Sequence, residues 1–228
     1  MLKNLLEIEF RRKIRSYLNR QGYKKLYQKY NSYTMIPEKF FLDNLEICEP
    51  LRFRKGCIVE CGVWRGGMIA ALTEVMGTDR NVYLFDSFEG LPPATDKDGE
   101  AAKDYQNKVD AIDYHDNCKA EMSFAASAMK LAKAQNPHFI KGYFENTLPG
   151  FQFSEEILVL RLDGDWYDST MQCLDNLYHK MTPGGIVLVD DYYYWDGCTR
   201  AVHDFLSKIN QPVRIHETKE GVCYFYKY

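Results

Sequence analysis

LVLRLDGDWYDSTMQCLDNLYHKMTPGGIVLVDD, residues 158–191, contains two apolar runs that each end in acid. Ile157–Leu162 leads into Asp163 and Asp165, and Ile186–Val189 leads into Asp190 and Asp191. Short apolar runs bounded by turn signals read as buried strands, and the segment between them has helical spacing. The pattern predicts an α/β fold, in which ligands bind at the carboxyl ends of the strands. Four carboxylates converging there would repel one another unless something positive sat among them. A hard divalent cation, which takes oxygen ligands, is the simplest such partner. Two plainer readings stand beside it. The acids cap helices, or Arg161, which shares parity with Asp163 and Asp165 along an extended strand, neutralises one of them.

Around this stretch, 228 residues suffice for one α/β domain with an appendage, and 46% hydrophobic residues supply a core. The net charge of −3 is uneven: residues 1–30 hold nine Lys or Arg against Glu7 and Glu9, so the remainder carries about −10. That balance argues against nucleic-acid binding by the main domain. No apolar run approaches the ~20 residues of a membrane span. The amino terminus also lacks the apolar core and cleavage site of a signal peptide, so a cytoplasmic location is expected. Seven cysteines without C-x-x-C spacing read as buried free thiols in a reducing compartment and support no zinc site.

Residues 1–50 read as an amino-terminal helical region and 51–228 as the main domain. Residues 2–30 form an amphipathic pattern, with Leu2, Leu5, Leu6, Ile14 and Leu18 near one face and Gly22 as a candidate break. Pro37 opens a second helix that ends near Pro50. The first strand is Cys57–Cys61, followed by the turn Gly62-Val63-Trp64-Arg65-Gly66-Gly67 and a helix to Met76. Glycines there let backbone approach a ligand, although the spacing is not G-x-G-x-x-G. Glu60, just before the turn, would repel a pyrophosphate and suits a cationic or amine-bearing ligand. The second strand, Val82–Phe85, ends in Asp86, placed to accept hydrogen bonds from ribose hydroxyls, with Phe88 a candidate for stacking on a base. Residues 93–117 read as a long polar loop, a lid or binding loop carrying Tyr105, Tyr114 and His115. Further elements are a helix over 119–134, strand Phe139–Lys141, an aromatic loop 192–195, helix 198–209 and a closing hairpin, Val213–Thr218 with Val222–Tyr228.

Five blocks, Tyr33-Thr34-Met35-Ile36, VECGVWRGG at 59–67, FDSFEGLP at 85–92, GYFENTLP at 142–149, and LDGDWYDST at 162–170 with VDDY at 189–192, carry a resemblance. Over roughly residues 33–228 the chain resembles class I S-adenosylmethionine-dependent methyltransferases, and most of all the macrocin O-methyltransferase family. The resemblance implies a Rossmann-like seven-stranded sheet with its last strand antiparallel, plus amino-terminal helices and a lid loop. It implies S-adenosyl-L-methionine and Mg²⁺ (or Mn²⁺) as cofactors, and a homodimer or larger assembly. The implied reaction is methyl transfer to a hydroxyl of a sugar or glycosylated natural product. By motif position, Asp163, Asp190 and Asp191 match metal ligands and Asp165 matches a general base. Glu60 and Gly62 match the methionine end of the cofactor, and Asp86 with Ser87 its ribose. Met35 falls near the reacting methyl, while Gly142, Phe144 and Asp163 complete the cofactor contacts. Trp166 and Asp168 depart from the aliphatic residue and Glu of the family pattern. The aromatic run 192–195 is denser than usual, and 93–117 matches nothing in it.

The chemistry suits these residue types without the resemblance. A protonated alcohol is a poor nucleophile. A bound cation lowers the pKa of a coordinated oxygen by several units, and a nearby carboxylate can take the proton. Neighbouring hydroxyls that chelate the cation would fix which oxygen attacks, so a vicinal diol is the expected acceptor. Two other readings compete. A nicotinamide-dependent oxidoreductase is disfavoured by Glu60 and the missing G-x-G-x-x-G. A non-catalytic cofactor-binding scaffold is disfavoured by the intact Asp163, Asp165, Asp190 and Asp191.

Overall fold

The computed structural model of the chain describes residues 19–109 and 116–228. Seven strands form one sheet: β1 (Cys57–Cys61), β2 (Asn81–Asp86), β3 (Asn136–Lys141), β4 (Ile157–Leu162), β5 (Met181–Val189), β6 (His216–Glu217) and β7 (Cys223–Tyr226). Their order is β3-β2-β1-β4-β5-β7-β6. The first five are parallel, and β7 pairs antiparallel with both β5 and β6. The described helices are α1 (residues 19–30), α2 (Glu38–Cys48), α3 (Gly67–Met76), α4 (Glu100–Asn107), α5 (Met122–Leu131), α6 (Phe144–Thr147), α7 (Tyr167–Leu177) and α8 (Asp196–Ile209).

The central strands β1 and β4 are buried along their whole length, as continuous apolar runs require. Ile58, Leu84 and Leu188 face one core with Phe41 and Leu45 of α2, Ile69 and Leu72 of α3, and Met129 of α5. Val59, Phe85 and Val187 face the other, with Leu174 of α7 and Val202 and Phe205 of α8. Each such side chain contributes roughly 1.5–3 kcal/mol by leaving water. These two layers hold the strand ends rigidly and leave the loops beyond free to carry charge.

Strand order reverses between β1 and β4, which opens a crevice at their carboxyl ends. The register pairs Cys61 with Phe85 and Leu162, and Leu162 with Val189. One residue further, Gly62, Asp86, Asp163 and Asp190 therefore share a row along the edge of the sheet.

Several expectations change. Gly22 lies inside α1 and does not break it; an interior glycine costs only about 1 kcal/mol relative to alanine, which packing overrides. The 93–117 stretch is not a plain loop, because α4 forms within it. That helix buries only Ala102, and polar contacts add to the packing of Tyr105 on Trp195. Gln106 Oε1 accepts from Ala94 N at 2.7 Å, and Gln106 Nε2 donates to Pro92 O at 2.9 Å and Asn117 Oδ1 at 3.0 Å. Buried Asp98 accepts from Tyr167 N, at the start of α7, at 2.7 Å. Strand β3 begins at Asn136 and takes Pro137 within it, which the sheet edge tolerates. Strand β5 begins at Met181, and the hairpin strands are shorter than expected. The expectations for Leu2, Leu5, Leu6, Ile14, Leu18, Tyr114 and His115 lie outside the described residues. No described helix is long and apolar enough to cross a membrane, and all seven cysteines are free.

Candidate active site

A cavity of about 400 Å³ opens over the row of strand ends. Its floor includes Gly62, Asp86, Asp163, Asp190 and Asp191. Met35, Ile36, Pro37 and Phe40, leading into and lying on α2, form one wall, and Tyr194 and Trp195 form another. Among the described residues that line it, six are acidic (Asp86, Glu145, Asp163, Asp165, Asp190 and Asp191) and none is Lys, Arg or His.

On the β1–β2 side the acid is tied into the backbone. Asp86 Oδ2 accepts from Val63 N at 2.6 Å and Trp64 N at 2.9 Å, and Oδ1 accepts from Phe88 N at 2.6 Å. Burial pushes the Asp86 carboxyl above its ordinary pKa, and the three amides pull against that rise. Ser87 Oγ donates to Gly90 O at 2.9 Å and accepts from Glu89 N at 3.0 Å, closing the next turn. Gly62 has φ +87°, and a Cβ there would stand 1.6 Å from Asp163 O. This glycine is therefore required for β1 to approach the end of β4, whatever ligand lies above. Phe88, expected to stack on a base, is instead 4% exposed and packed in the core.

On the β4–β5 side charge accumulates around a single cation. Arg161 is 1% exposed. Its Nη1 donates to Glu60 Oε1 at 2.9 Å and Asp163 Oδ2 at 2.7 Å, and its Nη2 lies 2.5 Å from Asp190 Oδ1. Arg161 thus meets Asp163, as one of the plainer readings expected, and not Asp165; it also holds Glu60 and Asp190, and one guanidinium cannot balance three acids. Asp163, Asp190 and Asp191 each offer an oxygen within 4.8 Å of the others. Burial raises the carboxyl of Asp190 to about 6 although Arg161 opposes it, and burial likewise raises Glu60 to about 8. Asp191 is raised by burial and then by the charge of Asp165.

Asp165 does not continue the strand. Its φ is +56°, and Trp166 N donates back to Gly164 O at 2.6 Å. Asp163 and Asp165 therefore reach the same cavity through a turn rather than through the parity of an extended chain. Asp165 N donates to Asp191 Oδ2 at 3.0 Å, and Asp165 Oδ1 accepts from Trp195 Nε1 at 2.9 Å. Burial, and next the charge of Asp163, push the Asp165 carboxyl up to about 7.

The expected site residues divide by position. Met35, Gly62, Asp86, Ser87, Phe144, Asp163, Asp165, Asp190 and Asp191 all line the cavity. Glu60 does not: it is 1% exposed, sits behind the wall against Arg161, and its Oε2 accepts no hydrogen bond from a described residue. Gly142 does not line it either; its N donates to Asp86 O at 2.9 Å. Sequence reading missed Phe40, Glu145 and the placement of Trp195 against Asp165. The dense aromatic run after Asp191 was the available signal for Trp195. Nothing in the local pattern of α2 marks Phe40.

The family described as Macrocin-O-methyltransferase matches residues 19–227. The 8-demethyl-8-(2,3-dimethoxy-alpha-L-rhamnosyl)-tetracenomycin-C 4'-O-methyltransferase of Streptomyces olivaceus is 34% identical over 200 residues, 80% of this chain and 71% of that protein. The mycinamicin III 3''-O-methyltransferase of Micromonospora griseorubida is 33% identical over 187 residues, 78% of this chain and 71% of that protein. The solved structure of the O-methyltransferase NovP superposes with a TM-score of 0.71 at 28% identity, covering 86% of this chain and 82% of that one. The chain belongs to the macrocin-O-methyltransferase family and is an S-adenosylmethionine-dependent O-methyltransferase.

Proposed function

We propose that the protein methylates a hydroxyl of a sugar, free or attached to a natural product, with Asp165 as base and a divalent cation held by Asp163, Asp190 and Asp191. The observation that carries this reading is the cavity lining of six carboxylates with no described basic residue. Such a cavity suits a sulfonium donor and a metal ion, both cationic. It is hostile to the pyrophosphate of a nicotinamide dinucleotide.

The donor set fits Mg²⁺ or Mn²⁺, which prefer carboxylate oxygen. Arg161 engages one oxygen each of Asp163 and Asp190, and the second oxygen of each accepts no hydrogen bond from a described residue. When bound, the cation would lower the pKa of an acceptor hydroxyl and favour a vicinal diol that chelates it. The chain supplies the rest. Arg161 fixes Asp163 and Asp190, with Glu60 bracing it from behind as a positioning residue. Gly62, Asp86, Ser87, Met35 and Phe144 frame the donor, with Gly142 shaping the turn beneath. Asp165, which lines the cavity beside these acids, is placed to accept the acceptor's proton. From the amino-terminal region, Met35, Ile36, Pro37 and Phe40 wall the cavity.

The acceptor class rests on the relatives, two of which are named as O-methyltransferases of a rhamnosyl-tetracenomycin and of mycinamicin III. The test is methyl transfer to a panel of rhamnosides, with and without EDTA, by wild type and Asp165→Asn. Asp165→Asn is expected to lose about 10²–10⁴ in kcat, the usual contribution of a positioned base, and still to bind S-adenosylhomocysteine. Undiminished turnover in EDTA would remove the metal from the mechanism.

A further inference from the structure

Trp195 is fixed from several directions. Its N donates to Asp191 O at 3.0 Å, which sets the backbone. Its ring meets Trp166 edge-on, with centroids 5.2 Å apart, and Tyr105 at 5.7 Å. Trp166 is 2% exposed and is anchored by its own indole, which donates to Pro92 O at 2.9 Å. The Trp195 indole then points its N–H at Asp165 Oδ1, at 2.9 Å. No described residue donates to Asp165 Oδ2.

Asp165 occupies the left-handed region at φ +56°. Its backbone is tied to Asp191 Oδ2, and among the described residues the indole is the one donor to its carboxylate. An indole N–H is a donor only and exchanges no proton in this pH range. It can hold an anionic carboxylate without competing for the substrate's proton.

We propose that Trp195 is a positioning residue, which holds Asp165 through Oδ1 and so leaves Oδ2 as the atom that accepts the acceptor's proton. The assignment rests on the reading of Asp165 as base. In that step the acceptor O–H bond breaks and its proton passes to Asp165 Oδ2. The acceptor oxygen forms a bond to the donor methyl carbon. The sulfur–carbon bond breaks with its electron pair retained on sulfur, giving the thioether, and Asp165 later releases the proton to solvent.

The test combines spectroscopy and kinetics on the full chain. The sequence contains three tryptophans, so ¹⁵N labelling gives three indole resonances, assigned with W195F and W166F. The Trp195 resonance is expected downfield and to move upfield in Asp165→Asn, where a neutral amide replaces the carboxylate. With methyl α-L-rhamnopyranoside as acceptor, W195F is expected to lower kcat by up to about a hundredfold, the cost of misplacing a reacting group. The acceptor KM and S-adenosylhomocysteine binding are expected to stay within about twofold of wild type. W195H, which restores an N–H donor, should recover part of the kcat. In the Asp165→Asn background, W195F should have no further effect.

An indole resonance indifferent to Asp165→Asn overturns the proposal. So does W195F with wild-type kcat beside an inactive Asp165→Asn. An active Asp165→Asn, or a wild type that leaves the rhamnoside unmethylated, overturns the reading of function instead; the indole resonance still decides the contact.

Discussion

Acid ends both β2 and the β4–β5 pair, yet the two places are built in opposite ways. Asp86 meets three backbone amides. Asp163, Asp190 and buried Glu60 share one guanidinium, and Asp165 and Asp191 add charge beside them. A carboxylate that accepts from three amides is held by the backbone, and in turn fixes the shape of the turn after β1. Carboxylates left in excess of their partners are held at an energetic cost, because buried like charges oppose one another. Such an arrangement persists where a ligand relieves it. The same residue type, in the same row of the same sheet, is thus tied into the backbone on one side and left short of partners on the other.

The sharpest way to break this contrast is at the residue where the two sides touch. Gly62→Ala would place a Cβ 1.6 Å from Asp163 O at a φ of +87°. The expected result is loss of the folded state, read by circular dichroism, and soluble, cooperative unfolding near wild-type temperature would contradict it. A smaller effect separates the two kinds of acid. Asp86→Asn turns one acceptor into a donor facing backbone amides and is expected to cost about 1–3 kcal/mol, a Tm drop of several degrees for a domain of this size. Asp190→Asn removes charge from a crowded cluster, so the metal-free Tm should hold or rise. Equal destabilisation by both would erase the distinction.

The smallest effect is a pH slope. In the fold Asp190 is raised to about 6, Asp165 to about 7 and Glu60 to about 8, whereas unfolded carboxyls titrate near ~4. Each group therefore keeps its proton in the folded state after the unfolded chain has released it. Stability of the metal-free protein from this cluster falls as pH rises from about 4 to about 8, and levels off above. Thermal melts in EDTA should show that decline, and a shallower one in Asp190→Asn. Mg²⁺ should raise Tm more at pH 8 than at pH 5, since ligation requires ionised carboxylates. A Tm in EDTA that climbs through the window would mean that Arg161 outweighs burial.

The sheet was legible where local pattern and burial agree. Cys57–Cys61 and Ile157–Leu162 are continuous apolar runs that become fully buried strands. The acids that follow Ile157–Leu162 and Ile186–Val189 mark the edge over which the cavity opens. What stayed hidden depends on contacts distant in sequence. Helix α4 carries no apolar stripe, and its anchoring by Gln106 and Asp98 is invisible to periodicity. Glu60 reads as ligand-facing from its place before the turn, but Arg161 beside it in the register draws its carboxylate inward. The glycines after β1 read as room for a ligand, whereas Gly62 makes room for Asp163. Phe88 follows Asp86 closely enough to suggest a base platform, yet its φ of +53° turns it into the core.

The most direct test of the account is a calorimetric titration of Mg²⁺ into the protein with S-adenosylhomocysteine present, for wild type and Asp190→Asn. One ion bound per chain in wild type, and none in Asp190→Asn at unchanged S-adenosylhomocysteine affinity, is the predicted result. Wild type that binds S-adenosylhomocysteine and methylates a rhamnoside while binding no divalent cation would contradict the assignment of the β4–β5 acids.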